Sequence, residues 1–147
     1  EPSLDHPELS LDPQIRIVEI DASTAGLFAR VMASGWKMEA APLVTLHEQI
    51  FSAPDRAQHM FLAYLDGEPV ATASYIAFPR SAYLIGGVVL EHVRGRGLYR
   101  ALVVARLAHA LARGISLATS HAREASSAPI LERMGFQTVC RFPMYFG

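Results

Sequence analysis

The feature that most constrains this chain is the run "VVLEHVRGRGLYRALVVARLAHALARG", residues 88–114. An apolar strand there passes through two arginines alternating with two glycines and enters a helix at once. Glycine costs about 1 kcal/mol against alanine inside a helix, so Gly95 and Gly97 do not serve helix formation. The first amides of a helix have no intrahelical partner and sit at the positive end of its dipole. They hold an anion, phosphate above all, wherever no side chain blocks the approach. Gly95 and Gly97 remove the β-carbons that would block it, and Arg94 and Arg96 add charge in a forked geometry. The segment reads as a pyrophosphate cradle between a strand and a helix. It is neither the G-x-x-x-x-G-K-[ST] loop of triphosphatases nor a G-x-G-x-x-G after the first strand, as dinucleotide binding would require.

The rest of the chain supplies an α/β frame for that junction. Residues 14–21 are β-branched and short, a first strand. A helix is expected over 22–33, capped by Asp21 or Ser23 and broken by "SGW". A second amphipathic helix covers 41–51, with Leu43, Leu46 and Ile50 at steps of three and four. Two strands flank Asp66-Gly67, a dipeptide suited to a tight hairpin. "YLIGGVVL" (83–90) is apolar enough to be a strand buried on both faces. In the long helix, Leu98, Ala101, Ala105, Ala108 and Ala112 form the stripe expected to lie on the sheet, with Arg106, His109 and Arg113 facing water. Gly114 is placed to end that helix. A strand over 115–122, a short helix over 127–135 and a last strand over 136–146, whole or broken at Pro143, complete a mixed sheet with helices on both faces.

Composition narrows the partners. The chain has 147 residues, a formal charge of −1 and one cysteine, Cys140. One domain is the simplest reading, and no internal disulfide can form, which suits a reducing cytoplasm. Without a basic bias or repeated Arg-Gly units, a nucleic-acid partner is not expected. No apolar run approaches the roughly 18 residues of a membrane helix. Residues 1–13, "EPSLDHPELSLDP", are proline-rich and acidic and read as a linker or the remnant of an upstream region, leaving 14–147 as the domain.

Arg94-Gly95-Arg96-Gly97-Leu98-Tyr99 and "SAPILERMGF", closing on Gly135-Phe136, together resemble the GNAT superfamily of N-acetyltransferases over roughly residues 14–146. The resemblance implies a three-layer α-β-α fold whose mixed central sheet has splayed fourth and fifth strands. It implies acetyl-CoA as co-substrate, its pyrophosphate held by the amides of Arg94, Gly95, Arg96, Gly97, Leu98 and Tyr99. Backbone groups of Gly87, Val88 and Val89 would pair with the pantetheine arm. It further implies direct attack of a primary amine, on a small molecule or peptide, upon the thioester, with no metal. Final strands of such folds often join neighbouring copies; the oligomeric state is left open.

The sequence departs from the family pattern at three places. Tyr99 stands where the motif ends in Gly or Ala. Leu131 stands where many relatives carry a tyrosine that protonates the leaving thiolate. Tyr83 stands where the histone-modifying branch has a glutamate base. The catalytic residues are therefore open, with Glu91, His92 and His121 as candidate bases. His47, Glu48 and Trp36 are candidates for the acceptor side, and Cys140 is expected to be a buried, inert thiol. The competing reading is a non-catalytic acyl-CoA-binding module or the cofactor-holding domain of a larger protein.

Overall fold

Apolar alternation and turn chemistry set the sheet. The computed structural model describes residues 12–145; residues 1–11 of the expected linker and 146–147 at the far end lie outside the described residues. Strand β1 (Ile15–Glu19) leads to helices α1 (Ala25–Trp36) and α2 (Ala40–Ser52). Strands β2 (Gln58–Leu65) and β3 (Glu68–Ala77) follow, then β4 (Ala82–Val89), α3 (Leu98–Ala112), β5 (Ala118–Ser120) and α4 (Ser127–Arg133). The β2–β3 hairpin closes on Asp66 and Gly67, both at positive φ (52° and 84°), the backbone that a two-residue turn of this hand demands.

The strands lie in the order β1-β2-β3-β4-β5, antiparallel except for the parallel β4–β5 pair. One face carries α3 over a core that includes Phe61, Tyr75, Leu84, Leu98 and Leu102. The other carries α1 over Phe28, Met32, Met60, Leu62 and Val88. β4 and β5 pair only from Ala82 to Leu84 against Ala118 to Ser120, so among the described residues β4 runs on past Leu84 with no strand paired to that edge. The expected splay is present, and it corrects the reading of β4 as buried on both faces. Ile85 and Gly86 are only partly covered and Gly87 is exposed, because the neighbour that would cover them has diverged.

Other expectations are corrected as well. Helix α1 begins at Ala25 after Thr24, and it runs through "SGW" to end at a left-handed Lys37. Asp21 instead folds its carboxylate back on the amides of Ser23 and Thr24. Gly35 survives within the helix because α1 lies against β4: a β-carbon there would sit 2.1 Å from Val88 Cγ1. In α3 the sheet-facing stripe is Leu98, Leu102, Arg106 and Ala110, all buried, whereas Ala108 and Ala112 are exposed. Arg106 is only 2% exposed and His109 is half-buried, so two of the three polar residues assigned to water face protein instead. Among the described residues, 136–145 form no strand, and Val139 and Tyr145 are almost fully exposed. Alternating side chains signal a strand only where an edge is there to pair with them. Cys140 is accordingly exposed and not buried.

Candidate active site

The junction read from the sequence as a cradle begins where β4 ends. A 3-10 turn, Glu91–Val93, tucks Val93 into the core, and the chain then passes through Gly95 (φ 80°) and Gly97 (φ 83°) into α3. Both glycines have left-handed backbone, which side chains disfavour. A β-carbon at either would meet nothing within 4 Å, so both open onto free space. The first turn-closing bond of α3 runs from the Ala101 amide to the Gly97 carbonyl at 2.9 Å. Among the described residues, the amides from Gly95 to Arg100 make no hydrogen bond. The cradle is thus a set of free donors at a helix start with nothing in front of them.

The arginines are engaged with protein. Arg94 Nε donates to the Val89 carbonyl at 3.2 Å. Arg96 Nη2 reaches Gln14 Oε1 at 3.2 Å and Asp12 Oδ2 at 3.5 Å. These are exposed contacts of little worth. The Leu90 amide bonds back to Val70 on β3. By strand alternation the backbone groups of Val88 also face β3, while those of Val89 and Gly87 face the bare edge.

Between the cradle and the fork, β4 bulges. Thr72 pairs with Val88 but Ser74 pairs with Ile85, so β4 carries one extra residue, with Gly86 at φ 63°. Arg106 secures the bulge from below. Its Nη1 donates to the carbonyls of Ser74 (2.9 Å) and Ile85 (3.3 Å), and its Nε to Leu102 (3.0 Å). Burial pulls the guanidinium down to about 10, still cationic at neutral pH. Helical periodicity had assigned Arg106 to solvent. The i, i+4 stripe Leu98-Leu102-Arg106-Ala110 was the available signal.

Tyr99, the odd residue of the motif, turns away from the cradle. A β-carbon added to Gly87 would lie 3.1 Å from Tyr99 Cε2. The ring occupies the room that the missing Gly87 side chain leaves, and burial raises its hydroxyl above the usual range, so it stays protonated. Leu131, at the place of the acid, is buried in the core and has no proton to give.

Of the candidate bases, the structure brings only His121 to the fork. It follows Ser120, the last paired residue of β5, and its Nδ1 is 3.0 Å from Tyr83 Oη. Phe142 meets the ring edge-on at 5.0 Å. Tyr83 is out of phase with Leu84, so it faces away from α3 and onto the α1 side. Glu91 and His92 line a separate cleft of about 390 Å³ with Lys37 and Arg94, beside the cradle. His47 is buried against Phe28, with Nδ1–H donating to the Leu43 carbonyl at 2.7 Å; it packs α2 on α1. Glu48 and Trp36 are exposed.

The sequence model of the acetyltransferase (GNAT) family matches residues 23–136. Comparison with curated proteins by sequence finds no match. Among solved structures, the chain resembles a ribosomal-protein-alanine N-acetyltransferase from Brucella melitensis biovar Abortus 2308. Identity is 20%, coverage 90% of this chain and 99% of that one, and the TM-score 0.72. It also resembles the aminoglycoside N-acetyltransferase AAC(6')-Iy in complex with CoA, at 18% identity, 93% and 99% coverage and a TM-score of 0.74. A third is a predicted acetyltransferase with acetyl-CoA from Clostridium acetobutylicum, at 15%, 90% and 96%, and 0.69. With the family match spanning most of the chain, and the splayed sheet and open cradle beneath it, this protein belongs to the GNAT acetyltransferase family.

Proposed function

We propose that the protein transfers an acetyl group from acetyl-CoA to a primary amine. The observation that carries this is the pair of left-handed glycines, Gly95 and Gly97, open to space in front of unpaired helix-start amides. Those amides fit a pyrophosphate, and the edge of β4 from Val89 back to Gly87, where Arg94 Nε already meets the Val89 carbonyl, fits the amide-bearing arm behind it. Acetyl-CoA supplies an activated acyl carbon; the amine's lone pair forms the new C–N bond while the C–S bond breaks. The protein's part is to anchor the remote end, so that binding energy positions the reacting carbonyl. It also presents the Gly87 amide to the oxygen on which charge builds.

His121 takes the proton that the ammonium must lose. With Nδ1–H donating to Tyr83 Oη, Nε2 keeps its lone pair at the fork. Leu131 leaves the departing thiolate without a side-chain acid at the usual place, and water protonates it.

The acceptor is a small amine or a peptide N-terminus, entering on the α1–α2 side that Tyr83 faces. The similar structures include enzymes named for an aminoglycoside and for a ribosomal protein, consistent with either class. Acetyl-CoA should raise the melting temperature, and Gly97→Glu, which sets a carboxylate in the cradle, should abolish the shift. Thiol release across an amine panel then separates the enzyme from a binding module. No shift with acetyl-CoA overturns the reading, whereas a shift without turnover on any amine favours the acyl-CoA-binding alternative.

A further inference from the structure

Three side chains meet on the α3 face of the sheet, at the end away from the cradle. They are Glu19 at the close of β1, His59 at the start of β2 and His109 near the end of α3. Glu19 bridges the two imidazoles: Oε1 is 3.0 Å from His59 Nδ1 and Oε2 is 3.0 Å from His109 Nε2. One ligand atom from each residue lies within 4.8 Å of the others, and the two rings are 4.9 Å apart. Forty and fifty residues separate them in sequence, so no spacing motif could have revealed them.

We propose that Glu19, His59 and His109 form a binding site for a divalent transition metal of the zinc class. Two imidazoles with one carboxylate are the donors such ions prefer, and hard cations such as Mg²⁺ and Ca²⁺ prefer oxygen alone. Each imidazole nitrogen is 3.0 Å from its own oxygen of the shared carboxylate, and the three ligand atoms lie within 4.8 Å of one another, so side-chain rotations alone can gather them around one ion. Zinc lies about 2.0–2.2 Å from each such donor, which puts tetrahedral neighbours a little over 3 Å from one another.

The surroundings fit as well. His109 Nδ1 is 2.7 Å from Tyr75 Oη. When Nε2 coordinates, the ring proton resides on Nδ1 and donates to that hydroxyl, the outer hydrogen bond that fixes a metal-binding histidine. His59 is buried and stacked on Tyr75, with centroids 4.9 Å apart, so its ring is held in place. The Glu19 side chain keeps 36% exposure, which leaves a fourth position to water and a path of entry. The opposing charge is Arg113, in the turn after α3, whose field reaches His59 and Tyr75. It is solvent-exposed and so screened. The site ties β1, β2 and α3 together at the end of the sheet and does not depend on the acetyltransferase reading.

The test uses the full chain stripped with a chelator and titrated with Zn²⁺ in competition with a chromophoric chelator. One zinc per chain is expected, with a higher melting temperature and no response to Mg²⁺ or Ca²⁺. Glu19→Gln and His109→Gln should each weaken binding at least tenfold, and Tyr75→Phe about tenfold. His92→Ala and His121→Ala should leave it unchanged. His59→Gln should weaken binding as Glu19→Gln does, and where that buried substitution prevents folding, Glu19→Gln, at an exposed position, carries the test. Zinc X-ray absorption should show nitrogen and oxygen neighbours including two imidazoles. No binding at submillimolar zinc, unaltered binding in Glu19→Gln and His109→Gln, or a sulfur neighbour from Cys140 overturns the proposal.

Discussion

Arg106 and His121 sit on either side of the same few residues of β4, and their chemistries differ. Arg106 touches only carbonyls, and it holds the two strands at the bulge where they fall out of step. Hydrogen bonds from a charged donor are worth about 1.5–3 kcal/mol each, so Arg106→Met should cost roughly 3 kcal/mol in urea unfolding. Arg106→Lys, with charge but no fork, should recover only part of it. A loss below about 1 kcal/mol would mean the bulge stands without the clamp. His121 carries no such structural load: it is exposed, and among the described residues its ring contacts only Tyr83 and Phe142. His121→Gln should therefore leave the melting temperature nearly unchanged while lowering kcat about 10²–10⁴-fold, the range of general-base catalysis. Tyr83→Phe, which removes only the orienting hydroxyl, should lower kcat by less, and a loss as large as that of His121→Gln would show that the hydroxyl does more than orient the ring.

At the scale of elements, the sequence was most legible where a local rule and tertiary packing agree. Asp66-Gly67 made its hairpin, and the glycines of the cradle had the open backbone that their chemistry implied. It misled where packing overrides propensity. Gly35 reads as a helix breaker until β4 is seen to leave no room for a side chain, and Arg106 reads as solvated until the bulge supplies carbonyls for it. The Glu19–His59–His109 cluster had no local signal at all, since two strands and a helix must assemble before it exists. Tyr99 shows a pairing that single positions cannot reveal: a large residue where the motif wants a small one, opposite a glycine on β4. Gly87→Ala should accordingly cost about 1–3 kcal/mol by overpacking against the ring. In a Tyr99→Ala background the same change should cost much less, a coupling that a double-mutant cycle measures directly. Equal costs in both backgrounds would mean that the ring does not fill that space in solution.

The whole molecule is organised along α3, which has the proposed phosphate cradle at its N-terminus and the His–His–Glu cluster near its C-terminus. Gly97 and His109 are about 18 Å apart at the rise of an α-helix. The two sites share no side chain and are joined by one continuous helix, and coupling between them would require an element with two arrangements that the ligands prefer differently. Ligand binding should then act on stability independently at each end. At a hundred times its dissociation constant, each ligand adds about 2.7 kcal/mol, so acetyl-CoA and Zn²⁺ together should add about 5.4 kcal/mol to chemical unfolding. The affinity for acetyl-CoA should change less than about twofold when zinc is saturating. A sum well short of additive, or a zinc-dependent acetyl-CoA affinity, would show that α3 moves as a lever between its ends. Arg106, halfway along the helix and bonded to both strands of the bulge, would then be the residue through which the movement reaches β4.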